Sequence, residues 1–207
     1  MYEIEKLLIT ELNEEGFDYP GIDYLATKKI LLPKTAVQII LKWLPLMYEE
    51  HLGAGNGLVR SLISADEPFD PLLLINLFQV SEYNDSIKFG IAYTLAMAKT
   101  FDIADWMKET AINHPYPFQS VGFLFGLATK GNFNSVDDLV DFLKTIFDKY
   151  SFFEQYFNLL KKYSSKDDIP FYVQKAKNAD KKLSREISKT IEVILKRKTV
   201  PELPQLV

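Results

Sequence analysis

Apolar residues recur three and four positions apart along nearly the whole chain, as in Leu7-Leu8-Leu12, Val37-Ile40-Leu41-Leu44, Ile87-Ile91-Leu95-Ala98 and Ile187-Ile191-Ile194. That spacing gathers each set on one face of an α-helix, and no run shows the strict alternation of a half-buried strand. Pro33, the stretch Asp66 to Pro71, Pro115 with Pro117, the turn Lys130-Gly131-Asn132 and the stretch Ser164 to Asp168 break the pattern into short helical segments. The prediction is an all-α chain of many short helices.

The segments fall into pairs. The first helix of each pair is expected to open near Pro33, Asp70, Asp102, Ser135 and Asp167, at steps of 37, 32, 33 and 32 residues. A fixed step of this size marks a helical solenoid, so the expected architecture is a right-handed array of about five helical pairs. It occupies residues 1–198 as one domain, with helices at 2–15 and 183–198 as terminal caps and an extended tail at 199–207. Ser135-Val-Asp-Asp138 and Ser151-Phe-Phe-Glu154 each place a side-chain acceptor before a helix and an acid three residues later, where free N–H groups and the positive end of the helix dipole favour them. The aspartate clusters are therefore read as caps rather than as paired catalytic carboxylates.

The stretch Asp23-Tyr-Leu-Ala-Thr-Lys-Lys-Ile30, followed by Pro33 and Val37-Gln-Ile-Ile-Leu-Lys-Trp-Leu-Pro45, resembles the opening of bacterial HEAT-like repeat proteins, and Gly57-Leu-Val-Arg-Ser-Leu62 resembles their next helix. The paired-helix pattern of that family covers about residues 20–198. The resemblance implies the fold more than the function, because HEAT-like stacks serve as scaffolds, regulators and toxin-neutralising proteins, and in some cases as DNA-repair enzymes or chromophore lyases. The chain departs from the family in carrying Phe and Tyr where small residues are usual, which predicts irregular helix spacing in its second half.

Composition narrows the chemistry. The 207 residues carry a formal charge of -4, which offers no overall attraction to nucleic acid or anionic lipid. The charge is uneven, however: residues 1–160 hold 12 Lys and Arg against 22 Asp and Glu, whereas 161–207 hold 12 against 6. There is no cysteine, which excludes disulfides, thiolate metal sites and thiol nucleophiles. The N-terminal fifteen residues contain five Glu and do not read as a signal peptide, and a cytoplasmic protein is expected.

His51 and His114 lie far apart in sequence and show no metal-binding spacing; no metal or cofactor is expected. Gly53-Ala-Gly55-Asn-Gly57 is glycine-rich but follows a helix and lacks the phosphate-loop pattern, so it is read as a close helix contact. Phe153 with Phe157 and Tyr156 with Leu160 are expected to form a core stripe, and Trp43 and Trp106 to be packing residues on first helices.

The remaining candidate is a surface. In such arrays the second helix of each pair lines the concave face, and helical phase then chooses its outward residues. With Leu52, Val59 and Ile63 inward, Arg60 points out; with Ile87, Ile91 and Ala98 inward, Lys88, Phe89, Ala92, Ala96 and Lys99 point out. Val121, Phe125 and Ala128 inward leave Gln119, Phe123 and Lys130. On the last two pairs Gln155 and Lys162, then Arg185, Lys189 and Lys196, face outward. The expected site is a basic groove with Phe89 and Phe123 as apolar anchors, against the plainer reading of lysines as a solvated face. The function expected is a non-catalytic scaffold binding an acidic or amphipathic protein segment, with a nucleic-acid-binding protein similar to the HEAT-like DNA glycosylases as the alternative; no membrane association is expected.

Overall fold

The computed structural model describes residues 2–28, 30–80 and 82–204. The chain is all-helical. Its α-helices are α1 (Glu3–Glu14), α2 (Ile22–Thr27), α3 (Lys34–Glu50), α4 (Leu52–Ser61), α5 (Leu72–Gln79), α6 (Asp85–Met97), α7 (Ala104–Asn113), α8 (Pro117–Ser120), α9 (Leu124–Lys130), α10 (Val136–Thr145), α11 (Phe147–Tyr150), α12 (Glu154–Tyr163), α13 (Ile169–Ala176) and α14 (Lys181–Lys196). The helices α3, α5, α7, α10 and α13 start at residues 34, 72, 104, 136 and 169, steps of 38, 32, 32 and 33. No helix among the described residues is long and apolar enough to cross a membrane.

The helices group into two compact units, one of Met1–Ile103 with Phe118–Phe123 and the other of Ala104–Pro117 with Leu124–Val207. In the first unit α3 packs on α1 and α4, and α4 packs on α2 and α6; the 3-10 turn Val121–Phe123 then sits against α6. Two isolated parallel bridges tie segment ends together: Leu32 pairs with Ala65 and Phe69 with Thr100. Each joins the entry to a helical pair with the exit from that pair's second helix, so the unit repeats a closed helix–turn–helix loop. In the second unit α12 packs on both α9 and α14, while α10 packs on α12 and α13 on α14.

Side-chain caps supply what the helix ends lack. Ser135 accepts from the Asp138 N–H at 3.1 Å, Asn84 from Ile87 at 3.1 Å and Asp180 from Leu183 at 2.8 Å. His51 is also a cap: its Nδ1 accepts from the Ala54 N–H at 3.1 Å while its ring stacks on Tyr2. Ser151 does not cap α12, contrary to the sequence reading. Phe153 occupies that position without a side-chain bond, and Ser151 is buried in the preceding turn. At the other polarity, Lys149 donates to the Ala111 and Ile112 carbonyls at the end of α7, and the Arg197 guanidinium donates to the Lys161, Lys162 and Ser164 carbonyls at the end of α12.

Trp43 is half-buried and donates its Nε1–H to Glu11 at 2.6 Å, tying α1 to α3. The glycine-rich stretch forms the first turns of α4, where a Cβ on Gly55 would stand 2.5 Å from Tyr48 Cδ1. The stripe on α12 is buried at Tyr156, Phe157 and Leu160, with Phe153 half-buried.

Candidate functional site

The outward positions expected on the second helices divide sharply. In the first unit Arg60 and Lys99 are exposed, and Lys99 Nζ donates to the Asp66 carbonyl at 2.8 Å. Lys88 is buried, with its ammonium 5.9 Å from the centre of the Phe78 ring. Ala92 and Ala96 are buried as well. α6 does not have a single inward face. Gly90, Ala92 and Ala96 let neighbours close around the helix, so burial extends past the usual apolar stripe.

Phe123 and Gln119 also correct the sequence reading. Phe123 is fully buried, with its ring 5.3 Å from that of Phe78, and Gln119 is buried, donating to Asp85 Oδ1 at 2.7 Å. The segment is not one continuous α-helix: α8 ends at Ser120, a 3-10 turn runs over Val121–Phe123, and α9 begins at Leu124. A 3-10 turn advances about 120° per residue instead of about 100°, so phase carried through it is wrong. Phe125, expected inward, is accordingly exposed. Phe89 is half-buried, its ring 6.2 Å from Tyr93 and 5.9 Å from Phe118, so Phe89 and Phe123 do not form an exposed pair. Leu52, expected inward, is exposed on the first turn of α4.

In the second unit Lys162 and Arg185 are exposed, and Gln155 and Lys130 are half-buried. Burial pushes the Lys130 ammonium down to about 8. Lys189 is half exposed and belongs to a cleft of about 460 Å³ between the start of α12 and the first turns of α14.

That cleft is a concave feature of the second unit. The turn Ser151–Phe153 connects α11 to α12 and holds Phe152 at the mouth with 71% of its surface exposed. Phe153, Phe157 and Leu183 give the cleft its apolar lining. Deeper in, Glu186 of α14 bonds Lys161 of α12 at 3.1 Å and Lys189 at 2.6 Å, one through each carboxylate oxygen. Glu154 and Asp180 stand near the N-terminal ends of the two helices, and Lys182 lies on the α14 wall. Of these residues helical phase predicts only Lys189 as outward. Phe152 falls off the Phe153–Phe157 phase, and the juxtaposition of α12 with α14 is a tertiary fact that neither helix states alone.

Hydrogen bonds from Lys189 and then Lys161 hold the Glu186 carboxyl below its ordinary 4.5. A carboxyl depressed in the folded state contributes stability that is full above the unfolded value and is lost as pH falls through the folded one. Glu186→Gln is therefore expected to flatten the acid limb of stability, measured as urea midpoints from about pH 6 to about pH 3. An acid limb as steep as that of the parent would show that the triad contributes nothing.

Among the described residues no group of three or more His, Asp or Glu stands together to hold a metal ion. The cleft offers cations, carboxylates and exposed aromatic surface, which suit recognition of an amphipathic surface. No protein-family model matches the chain, and comparison with curated proteins and with solved structures likewise finds no match.

Proposed function

We propose that the chain is a non-catalytic interaction module, a right-handed HEAT-like array of about five helical pairs that takes an acidic or amphipathic segment of a partner protein in its α12–α14 cleft. The observation that carries this reading is Phe152, a large aromatic side chain held in the open at the mouth of a cleft with charged walls. Isolated exposed apolar residues are ordinary, but one beside a formed cleft whose walls carry both lysines and carboxylates has the composition of an interface anchor. The recurring step between first helices and the packed succession α9–α12–α14 support the array.

The nucleic-acid reading draws less support. It needs several unneutralised cations facing one channel, whereas Lys88 is buried and Lys189 and Lys196 are paired with Glu186 and Glu192.

A photo-crosslinking amino acid at position 152 tests the proposal in cells of the natural host. One discrete protein adduct is expected from position 152 and none from position 173, an exposed site on α13. The absence of any adduct at 152, or duplex DNA binding that weakens steeply with salt, would overturn the reading.

A further inference from the structure

Two helices of different units carry opposite charge. α1 has four Glu against one Lys, a net of -3, and α14 has five Lys and Arg against two Glu, a net of +3. Each also leaves a flank uncovered. On α1 the stripe Glu3, Leu7, Thr10 and Glu14, spaced four, three and four residues, is exposed throughout, and Leu7 is 46% exposed. On α14 the residues Ser184, Ser188, Ile191 and Leu195 repeat that spacing, and Leu195 is 55% exposed. At about 100° per residue this stripe lies on the side of α14 opposite Glu186, and Glu186 bonds Lys161 of α12. α12 therefore does not cover it. Ser188 donates its hydroxyl to the Ser184 carbonyl at 2.9 Å, so the stripe presents small and apolar surface that needs no polar partner.

We propose that copies of this chain associate head to tail, with α1 of one copy packed on the Ser184, Ser188, Ile191 and Leu195 flank of α14 of the next. This surface is separate from the α12–α14 cleft and does not rest on the reading of that cleft. The charges select the pairing. Packing α14 on α14 joins two helices of net +3, and packing α1 on α1 joins two of net -3; only α1 on α14 brings opposite signs together. Glu3, Glu14, Lys181 and Arg185 are exposed and form no ion pair among the described residues. The attraction therefore comes from side chains that are not already neutralised, unlike Glu11 with Lys42 or Lys196 with Glu192.

Spacing sets the direction. With Leu7 seated on Ile191 and Leu195, Glu14 lies about 10.5 Å along the α1 axis at 1.5 Å per residue. Arg185 precedes Ile191 and Leu195 by about 9 and about 15 Å on the same scale, so an antiparallel crossing brings Glu14 to Arg185 and turns Glu3 toward the basic end of α14. A parallel crossing would carry Glu14 past the end of that helix and leave Arg185 unmet. Helices of 12 and 16 residues bury less than the roughly 1,200 Å² of a stable interface, so the contact is weak and concentration-dependent. It is also heterologous, and adds copies without the two-fold closure of a symmetric dimer.

Sedimentation equilibrium of the full chain, from about 5 to about 500 µM, tests the proposal. The weight-average mass is expected to rise with concentration, and to rise less as salt goes from about 50 to about 500 mM. Glu14→Arg and Arg185→Glu should each weaken association at least about fivefold. Combined in one chain they restore opposite signs and should recover most of that loss, as should an equimolar mixture of the two single variants. Leu7→Ala and Leu195→Ala should each weaken it by about fivefold. All four side chains are exposed, so circular dichroism should match the parent; Glu14→Gln and Arg185→Gln are milder variants should a charge reversal fail to fold. A chain that stays monomeric throughout at low salt would overturn the proposal, as would a double variant no better than the single ones. Association that needs Arg185 and Leu195 but neither Glu14 nor Leu7 would overturn it too, because α1 would then not be the partner of α14.

Discussion

Phe147→Ala is expected to remove about 3–5 kcal/mol from the stability of the unit formed by Ala104–Pro117 and Leu124–Val207. Phe147 is 1% exposed and stands at the centre of an aromatic cluster. Its ring meets Phe171 at 5.3 Å, Tyr156 at 5.9 Å and Phe157 at 6.3 Å, all close to edge-on. Lys175 adds an ammonium 5.1 Å from the ring centre. Truncation thus removes burial, several favourable ring contacts and a cation–π contact at once, and leaves a cavity bounded by α12 and α13.

The same cluster bears on function, because Phe157 is shared between the core and the apolar lining of the cleft. The two tryptophans provide clean reporters: Trp43 lies in the first unit and Trp106 in the second. In a Trp43→Phe background, urea unfolding followed by Trp106 should show a midpoint lowered by about 1.5–2.5 M for a slope of about 2 kcal/mol per M. Phe147→Leu, which keeps most of the volume, should lose appreciably less. A loss under about 1 kcal/mol for the alanine variant would mean that the cluster collapses readily and is not what holds the unit together.

The helical class and the helix starts were legible in the chain because both are local properties. First helices expected near Pro33, Asp70, Asp102, Ser135 and Asp167 begin at Lys34, Leu72, Ala104, Val136 and Ile169. Prolines, caps and the 3.6-residue period mark such boundaries directly. The outward face was legible only where helices are regular and flanked on one side. It held for Arg60, Lys99, Lys162 and Arg185, all exposed. It failed for Lys88 because small residues let α6 be surrounded, and for Gln119 and Phe123 because a 3-10 turn reset the phase.

The cleft was out of reach for a different reason. Lys161, Glu186 and Lys189 form a triad only because α12 and α14 are neighbours, and the pairing of Lys161 with Glu186 spans 25 residues. The charge bias of residues 161–207 was visible, but helical phase drew attention to Lys162 rather than to its neighbour Lys161, which lines the cleft.

Gly122→Ala is expected to destabilise the other unit by about 3 kcal/mol, and a comparison with Gly90 shows why the figure belongs at the upper end for overpacking. A Cβ on Gly122 would stand 2.6 Å from the Tyr93 backbone N and 3.0 Å from both the carbonyl carbon and the Cβ of Ala92. The nearest opposing atom is backbone in the middle of α6, so relief requires the turn Val121–Phe123 to move off that helix, taking the fully buried Phe123 away from Phe78. A Cβ on Gly90 would also collide, but with the end of the Asn56 side chain. In that case a second substitution can remove the obstacle. Within a helix alanine is favoured over glycine by about 1 kcal/mol, so Gly90→Ala in an Asn56→Ala background should be more stable than Asn56→Ala alone. No single side-chain deletion should rescue Gly122→Ala in this way. With Trp106→Phe in place, Trp43 fluorescence reports the unit that contains both glycines, and urea midpoints of the four variants decide the matter. If Gly122→Ala unfolds at the parent midpoint, the close approach of the turn to α6 is not a determinant of the fold, and the burial of Phe123 must be attributed to something other than that contact.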